Sequence, residues 1–321
     1  METATTQKSS TEALQQEKSR RLRTPFWRTF RQDWEVFARN KMAVAGLIVI
    51  LVFAILAIAH PILRATIWQS DIYSPITGFD IDAAPHPSPP SLTHLLGTDG
   101  MGRDVLSMLL AATTPSFIVG VTAAAITAMV GTSVGVLSAY YRGPIDTVFT
   151  HISDAVILVP APLFMVIVGI RFNDLGPAPL GAIYGILAGA GGAAVVMRSH
   201  ALKVISQPFV SAARVAGGGN WHIMFKHVLP HMWPMTALYM MLAVTNAVIA
   251  DAFISFGGFS RTYLNWGTMI YSSLVYAEYL TTGFDWHVLL PPGLALSLFA
   301  AAFYFVSRGL HKVADPRLRA R

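Results

Sequence analysis

Composition and patterning predict an all-α membrane protein with six transmembrane helices and both termini on the cytoplasmic side. Three features carry that reading. Of 321 residues, 54% are hydrophobic and only 12% are charged, against about 25% charged in an average soluble domain. The apolar residues gather in runs at 43–62, 116–139, 155–171, 178–197, 234–256 and 287–307. Each run is close to the ~20 residues that cross the hydrocarbon core, and most lack the polar stripe of a soluble amphipathic helix. Nineteen of the 23 Lys and Arg residues fall in segments 1–42, 140–154, 198–233 and 308–321, on alternate sides of the runs. Basic side chains stay on the cytoplasmic side during insertion, which gives an even number of spans and two cytoplasmic termini.

The elements follow in chain order. Residues 1–24 are polar and rich in Ser, Thr and Gln, which predicts a disordered cytoplasmic tail. The first 41 residues carry nine Lys/Arg and five acids ahead of any apolar run. No small-residue cleavage site follows at a suitable distance, so the first run is an anchor and not a signal peptide. Within 25–42, Trp27, Phe30, Trp34 and Phe37 share one helical face, while Arg28, Arg31, Gln32, Glu35 and Arg39 lie mostly off it. This suits an interfacial amphipathic helix, or a cytoplasmic extension of the first span, 43–62. An external loop, 63–103, comes next. Pro75, Pro85, Pro87, Pro89 and Pro90 oppose regular helix there, and Asp71, Asp80 and Asp82 make it acidic.

The core transmembrane domain is expected over 104–307. Residues 104–139 run with little polarity and would reach roughly 54 Å as one helix, beyond the ~30 Å core. Pro115 is a natural break, which makes 104–114 a candidate separate helix at the outer surface. Tyr140-Tyr141-Arg142-Gly143-Pro144 ends this span inside, and Gly176-Pro177-Ala178-Pro179 turns the chain outside. Residues 198–233 form the sizeable internal loop, with four Lys/Arg, four His (His200, His222, His227, His231) and no acid. The outer loop 257–286 is aromatic, with Tyr263, Trp266, Tyr271, Tyr276, Tyr279, Phe284 and Trp286, some of them expected in the aromatic belt. Residues 308–321 close the chain as a cytoplasmic tail.

Several function classes can be weighed against these elements. The absence of cysteine excludes disulfides, thiolate catalysis and Cys-ligated metals. No G-x-x-x-x-G-K-[ST] occurs, so the chain has no P-loop for ATP, and no H-E-x-x-H occurs either. The four His are spread over 200–231 without an acid, which favours a polar surface over a metal site. Gly131-Thr132-Ser133-Val134-Gly135 fits a hydrolase G-x-S-x-G pattern but lies in an apolar helical run, where a GxxxG packing face is the better reading. Gly181, Gly185 and Gly189 repeat that spacing. Gly189-Ala190-Gly191-Gly192 follows no strand, so it reads as packing and not as a dinucleotide loop. The basic residues are split along the chain, which argues against nucleic acid. Asp251, with Asn246 before it, is an intramembrane ionisable residue and so a candidate for the translocation path. A carboxylate hydrogen-bonded between helices fits it equally. Asp154 and Arg198 read as interfacial anchors.

Three separated motifs resemble one family, the inner-membrane permeases of oligopeptide/dipeptide ABC importers. Leu96-Gly97-Thr98-Asp99-Gly100-Met101-Gly102-Arg103-Asp104-Val105-Leu106-Ser107 is similar to the family's LGTDxxGRDVxS motif. Phe209-Val210-Ser211-Ala212-Ala213-Arg214-Val215-Ala216-Gly217, with His227-Val228-Leu229-Pro230 after it, resembles the EAA loop, with Ser211 in place of Glu. Leu290-Pro291-Pro292-Gly293-Leu294-Ala295-Leu296 and Asp315-Pro316-Arg317-Leu318 resemble the last span and tail. Ser153-Asp154 with Pro160, and Trp266-Gly267-Thr268-Met269, are smaller matches.

The resemblance covers about residues 25–321. It implies the type I ABC importer permease fold and a transport subunit that is no enzyme and binds no cofactor itself. ATP and Mg belong to one or two partner ABC ATPase subunits. It also implies a second homologous permease, an extracytoplasmic substrate-binding protein, and a prokaryotic inner-membrane location. Peptides are the expected cargo, with nickel or oligosaccharides as alternatives and a membrane-embedded hydrolase built on Ser133 or Asp251 as the rival of another class. Coupling to the ATPase is expected through Phe209, Ser211, Ala212, Ala213, Arg214, Gly217, Trp221, His222, Leu229 and Pro230. Residues 209–216 would form the docking helix, Gly217 to Gly219 a flexible joint, and Trp221 and His222 would fill a pocket on the partner.

Overall fold

The computed structural model describes residues 34–172, 174–259, 262–280 and 285–314. The expected tail 1–24, most of the interfacial helix 25–42 and the motif at Asp315–Leu318 lie outside them. Residues 34–38 are helical, and Phe37 is buried against Ala43, Val306 and Val313.

The described residues are mostly helical, with one long non-helical segment at 74–104. The first long helix, α1 (Lys41–Thr66), is apolar enough to cross a membrane. Its exposed positions between 42 and 62 are all apolar, among them Ile48, Leu51, Ile55 and Ile58. A short helix, α2 (Ser70–Tyr73), interrupts the loop after it. The next long helix, α3 (Val105–Tyr141), is a single 37-residue element. Pro115 therefore does not divide it, and 104–114 is no separate helix. The hydroxyls of Thr113 and Ser116 donate to the carbonyls of Leu109 and Ala112, reinforcing the turn that proline weakens.

The third expected span, 155–171, is not one helix. A helix α4 (Gly143–Leu158) starts twelve residues earlier and meets α5 (Ala161–Arg171) at a bend of 81°. Pro160 and Pro162 supply no N–H across the join. Among the described residues there are thus five spans by length and composition, or six if this bent pair counts as one.

A 29-residue helical stretch, α6 (Pro177–Ile205), follows, with a π turn at Gly189–Ala193 that kinks it at Gly191, whose φ/ψ of −86°/−119° is not helical. After it come the short α7 (Pro208–Val215) and α8 (Asn220–Phe256), which contains a π turn at Met224–Val228 and runs through Pro230 and Pro234. The internal loop read as 198–233 is therefore mostly helix, and its non-spanning part shrinks to 206–219. Polar side chains at 198–203 and 220–231 hid helices that simply project beyond the apolar run.

Residues 266–280 form α9 (Trp266–Leu280), inside what was expected to be an outer loop. Trp266 is 1% exposed, so it does not sit in an aromatic belt. It packs edge-on against Phe53 and Phe299. The last helix is α10 (Trp286–Ala314).

Small residues bring α3 and α6 together. A Cβ on Gly181 would lie 2.4 Å from the Val119 carbonyl oxygen, and one on Gly135 would lie 2.5 Å from Met197 Cβ. The residues of the G-x-S-x-G pattern are thus a packing face within a continuous helix, without the strand-to-helix turn of a hydrolase. The turn at 97–104 lies at one end of the bundle, where α3 begins. Residues 206–219 lie at the opposite end, beside the α3 terminus: Tyr140 donates to Asn220 Oδ1 at 2.9 Å.

Candidate functional sites

At the 206–219 end, Pro208 occupies the first turn of α7, where its missing N–H costs nothing. Val210 is buried with Ile223, Met224 and Val228 against Val136, Ala139, Met197 and Ala201 of α3 and α6. This apolar seat fixes α7 to two long helices. Ser211, Ala212 and Arg214 face outward, and Ala213 is half-buried. Val215 is 91% exposed, Trp221 61% and Phe225 59%, and Trp221 stacks on Phe225 at 5.6 Å. Phe209 stacks on His231. His222 is exposed, Leu229 half-buried and Pro230 exposed. An apolar, aromatic surface held on a rigid base is what a protein partner needs.

Gly217 was expected to be a soft joint, but it sits in a formed helix stop. Its φ is +86°. Its N–H donates to Arg214 O and the Gly218 N–H donates to Ala213 O, the paired bonds of a Schellman motif.

At the other end, residues 97–104 fold into a closed turn. Asp99 Oδ1 accepts the N–H groups of Met101 and Arg103, and Oδ2 accepts Arg103 Nε and Nη2 at 2.8 and 2.5 Å. Gly97 and Gly102 have φ near +80°, a region open to glycine at low cost. Asp104 caps α3 by accepting from Ser107 N at 2.6 Å. Its other oxygen meets His94 Nδ1 at 2.9 Å, and His94 Nε2 meets Asp80 Oδ2 at 3.0 Å. Thr98 Oγ1 joins His86 and Ser88. The motif is thereby a clasp tying the 74–96 loop to the start of α3. His94 holds the Asp80 carboxyl below its usual range by hydrogen bonding, against opposing desolvation. Burial, followed by the charges of Asp104 and Asp80, raises the Tyr73 phenol.

The two path candidates separate. Asp251 is buried and accepts from Tyr263 Oη at 2.7 Å and Asn265 Nδ2 at 3.0 Å. It holds the chain after α8 in place. Asn246 is exposed on the same helix. Sequence reasoning did not find the pair Asp146–Arg198, which joins α4 to α6 at 2.5 and 2.6 Å, with Ser138 of α3 also donating to Asp146. Partners 52 residues apart leave no spacing signal. Among the described residues, no group of three His, Cys, Asp or Glu is arranged to hold a metal.

The profile of the family described as "Binding-protein-dependent transport system inner membrane component" matches residues 131–320. The chain belongs to that family. A second profile, "N-terminal TM domain of oligopeptide transport permease C", matches residues 25–76. Relatives include the glutathione transport system permease protein GsiD of Pectobacterium atrosepticum, 30% identical over 307 residues, or 93% of each chain. The dipeptide transport system permease protein DppC of Bacillus subtilis is 29% identical over 313 residues, 95% of this chain and 92% of that one. The oligopeptide transport system permease protein OppC of Bacillus subtilis is 28% identical over 290 residues, 88% of each. The chain is thus a permease component of the inner membrane, of a family that is not itself an ATPase. In the permease, the family profile spans α7 and its seat, whereas the clasp at 97–104 falls between the two matched segments.

Proposed function

We propose that this permease forms half of a translocation pathway for di- or oligopeptides, delivered by an extracytoplasmic binding protein and driven by partner ABC ATPases. The observation that carries the reading is the exposed surface of α7 and the start of α8, seated without slack on α3 and α6. A permease without its own nucleotide site must receive work mechanically. A short helix bearing Ser211, Ala212 and Val215 outward suits a groove on an ATPase, and Trp221 and Phe225 extend that contact. ATPase closure would then pull on α3 and α6 together, since both lie under Val210. In this reading both termini and the 206–219 end are cytoplasmic, the 97–104 clasp faces outward, and a second homologous permease completes the path. The peptide cargo is supported by the names of the relatives.

Uptake by cells carrying or lacking the permease tests the cargo. Labelled di- and tripeptides should enter only with the permease. Uptake of nickel or an oligosaccharide in its place would replace the peptide assignment. Cross-linking of an Ala212→Cys variant to the ATPase tests the docking helix, and absence of any adduct in the assembled transporter would count against it.

A further inference from the structure

The join between α4 and α5 carries two features that lipid does not tolerate. The first is a polar stripe. Thr147, His151 and Asp154 are all exposed, and spacings of four and three residues place them on one face of α4. Among the described residues nothing pairs with Asp154. Its depth follows from its neighbour: Ser153 Oγ donates to Ala190 O at 2.7 Å. Ala190 lies in the π turn near the middle of the 29-residue α6. Val156 lies against Gly191 at the same level. An ionisable side chain at mid-depth faces a protein interior or a water-filled cavity. By contrast, the exposed side of α1 between 42 and 62 is wholly apolar.

The second feature is the break itself. Leu158 is 82% exposed and Val159 40%, with Pro160 also exposed. Non-helical backbone at membrane depth is tolerated only where protein or a water-filled cavity covers it. Among the described residues nothing covers it. The break is also electronegative, because the carbonyl end of the 16-residue α4 points there beside a carboxylate. Helix C-termini favour cations, and broken spans use such ends to hold positive charge.

We propose that Asp154 and the exposed break at Val159–Pro160 line the water-filled translocation path, where the carboxylate meets the ammonium group of passing cargo. The assignment rests on the peptide-import reading for its cargo, but its geometry is independent of that reading. It transfers the path-lining role from Asp251, which is committed to Tyr263 and Asn265, to a residue that sequence reading took for an anchor.

The chain holds no cysteine, so single-cysteine variants report cleanly when the permease is isolated after labelling. Within the assembled transporter, Asp154→Cys and His151→Cys should react with a water-soluble trimethylammonium-ethyl thiosulfonate at least roughly tenfold faster than Ile55→Cys on the lipid side, because only a hydrated thiol ionises. Asp154→Asn should lower uptake of a free-amino dipeptide about tenfold, the worth of one charge-assisted contact, and Asp154→Glu should restore most of it. Labelling of Asp154→Cys no faster than of Ile55→Cys would overturn the proposal, placing the face against lipid or the second permease. Normal uptake by Asp154→Asn would overturn the role of the carboxylate. Fast labelling of Asp154→Cys, with no peptide import by the wild-type permease, would support the path and refute only the peptide assignment.

Discussion

Asp99 and Arg103 show how a short motif becomes a rigid part. One carboxylate, 1% exposed, satisfies two backbone N–H groups and a guanidinium fork. Asp99→Ala strands Arg103 and both amides. It should destabilise the detergent-solubilised protein by about 3 kcal/mol, in the range for breaking a buried pair, as read by thermal or chemical unfolding. The neighbouring Asp80 adds an acid dependence. Its carboxyl titrates lower when folded, chiefly because His94 hydrogen-bonds to it. Its contribution is therefore present above the ordinary carboxylate pKa of about 4 and lost as pH falls through the lowered value. Melting curves recorded from pH 5 downward should show an acid loss that Asp80→Asn reduces. An unchanged profile in that variant would show that the clasp does not depend on the charge. The aspartates of this motif stood out in the sequence, but His94 did not, because a lone histidine in a proline-rich loop carries no spacing signal.

The proposed coupling element makes a different demand on its residues. Gly217 adopts φ +86° with nothing within 4 Å of a built Cβ, so its requirement is conformational and not steric. Left-handed backbone costs most L-residues roughly 1–2 kcal/mol, whereas Asn tolerates it. Gly217→Asn should keep ATP-driven uptake near the native rate. Gly217→Val should fray the end of α7 and lower coupled uptake while the subunits still assemble. Equal uptake by the two variants would refute this role for the stop. The sequence showed a helix followed by glycines, yet three glycines in a row read as softness. Only the hydrogen bonds from Gly217 and Gly218 back to Arg214 and Ala213 identify a stop.

Across the whole molecule, α4 is tied to the bundle at few points. Ser153 is its one buried side chain. The Asp146–Arg198 pair and Ser138 clamp its start to α6 and α3. Arg198→Gln alone leaves Asp146 without its counter-charge. It should reduce stability more than the double variant Asp146→Asn/Arg198→Gln does relative to Asp146→Asn, with a coupling of about 1–3 kcal/mol. A double-mutant cycle on the purified protein measures it, and additive losses would mean the pair is incidental. If α4 borders the path, this clamp is also where motion of α6 reaches that border.

Hydrophobic run length and charge placement were enough to identify a helical membrane chain and to place most of its long helices, since both reflect transfer of single segments from water to lipid. The motifs at 96–107 and 209–230 were legible because each is contiguous. The features that needed the tertiary structure all join distant residues or break a local rule. Pro115 passes unbroken through α3, the 155–171 run folds at Pro160, and Trp266 leaves its loop for the core beside Phe53 and Phe299. Along the chain Asp251 lies inside an apolar run and reads as a path residue, whereas Asp154 lies just before one and reads as an anchor. Packing gave one of them Tyr263 and Asn265 as partners and left the other open on an exposed face. Whether a buried charge is satisfied depends on which helices meet around it, and no local pattern encodes that meeting.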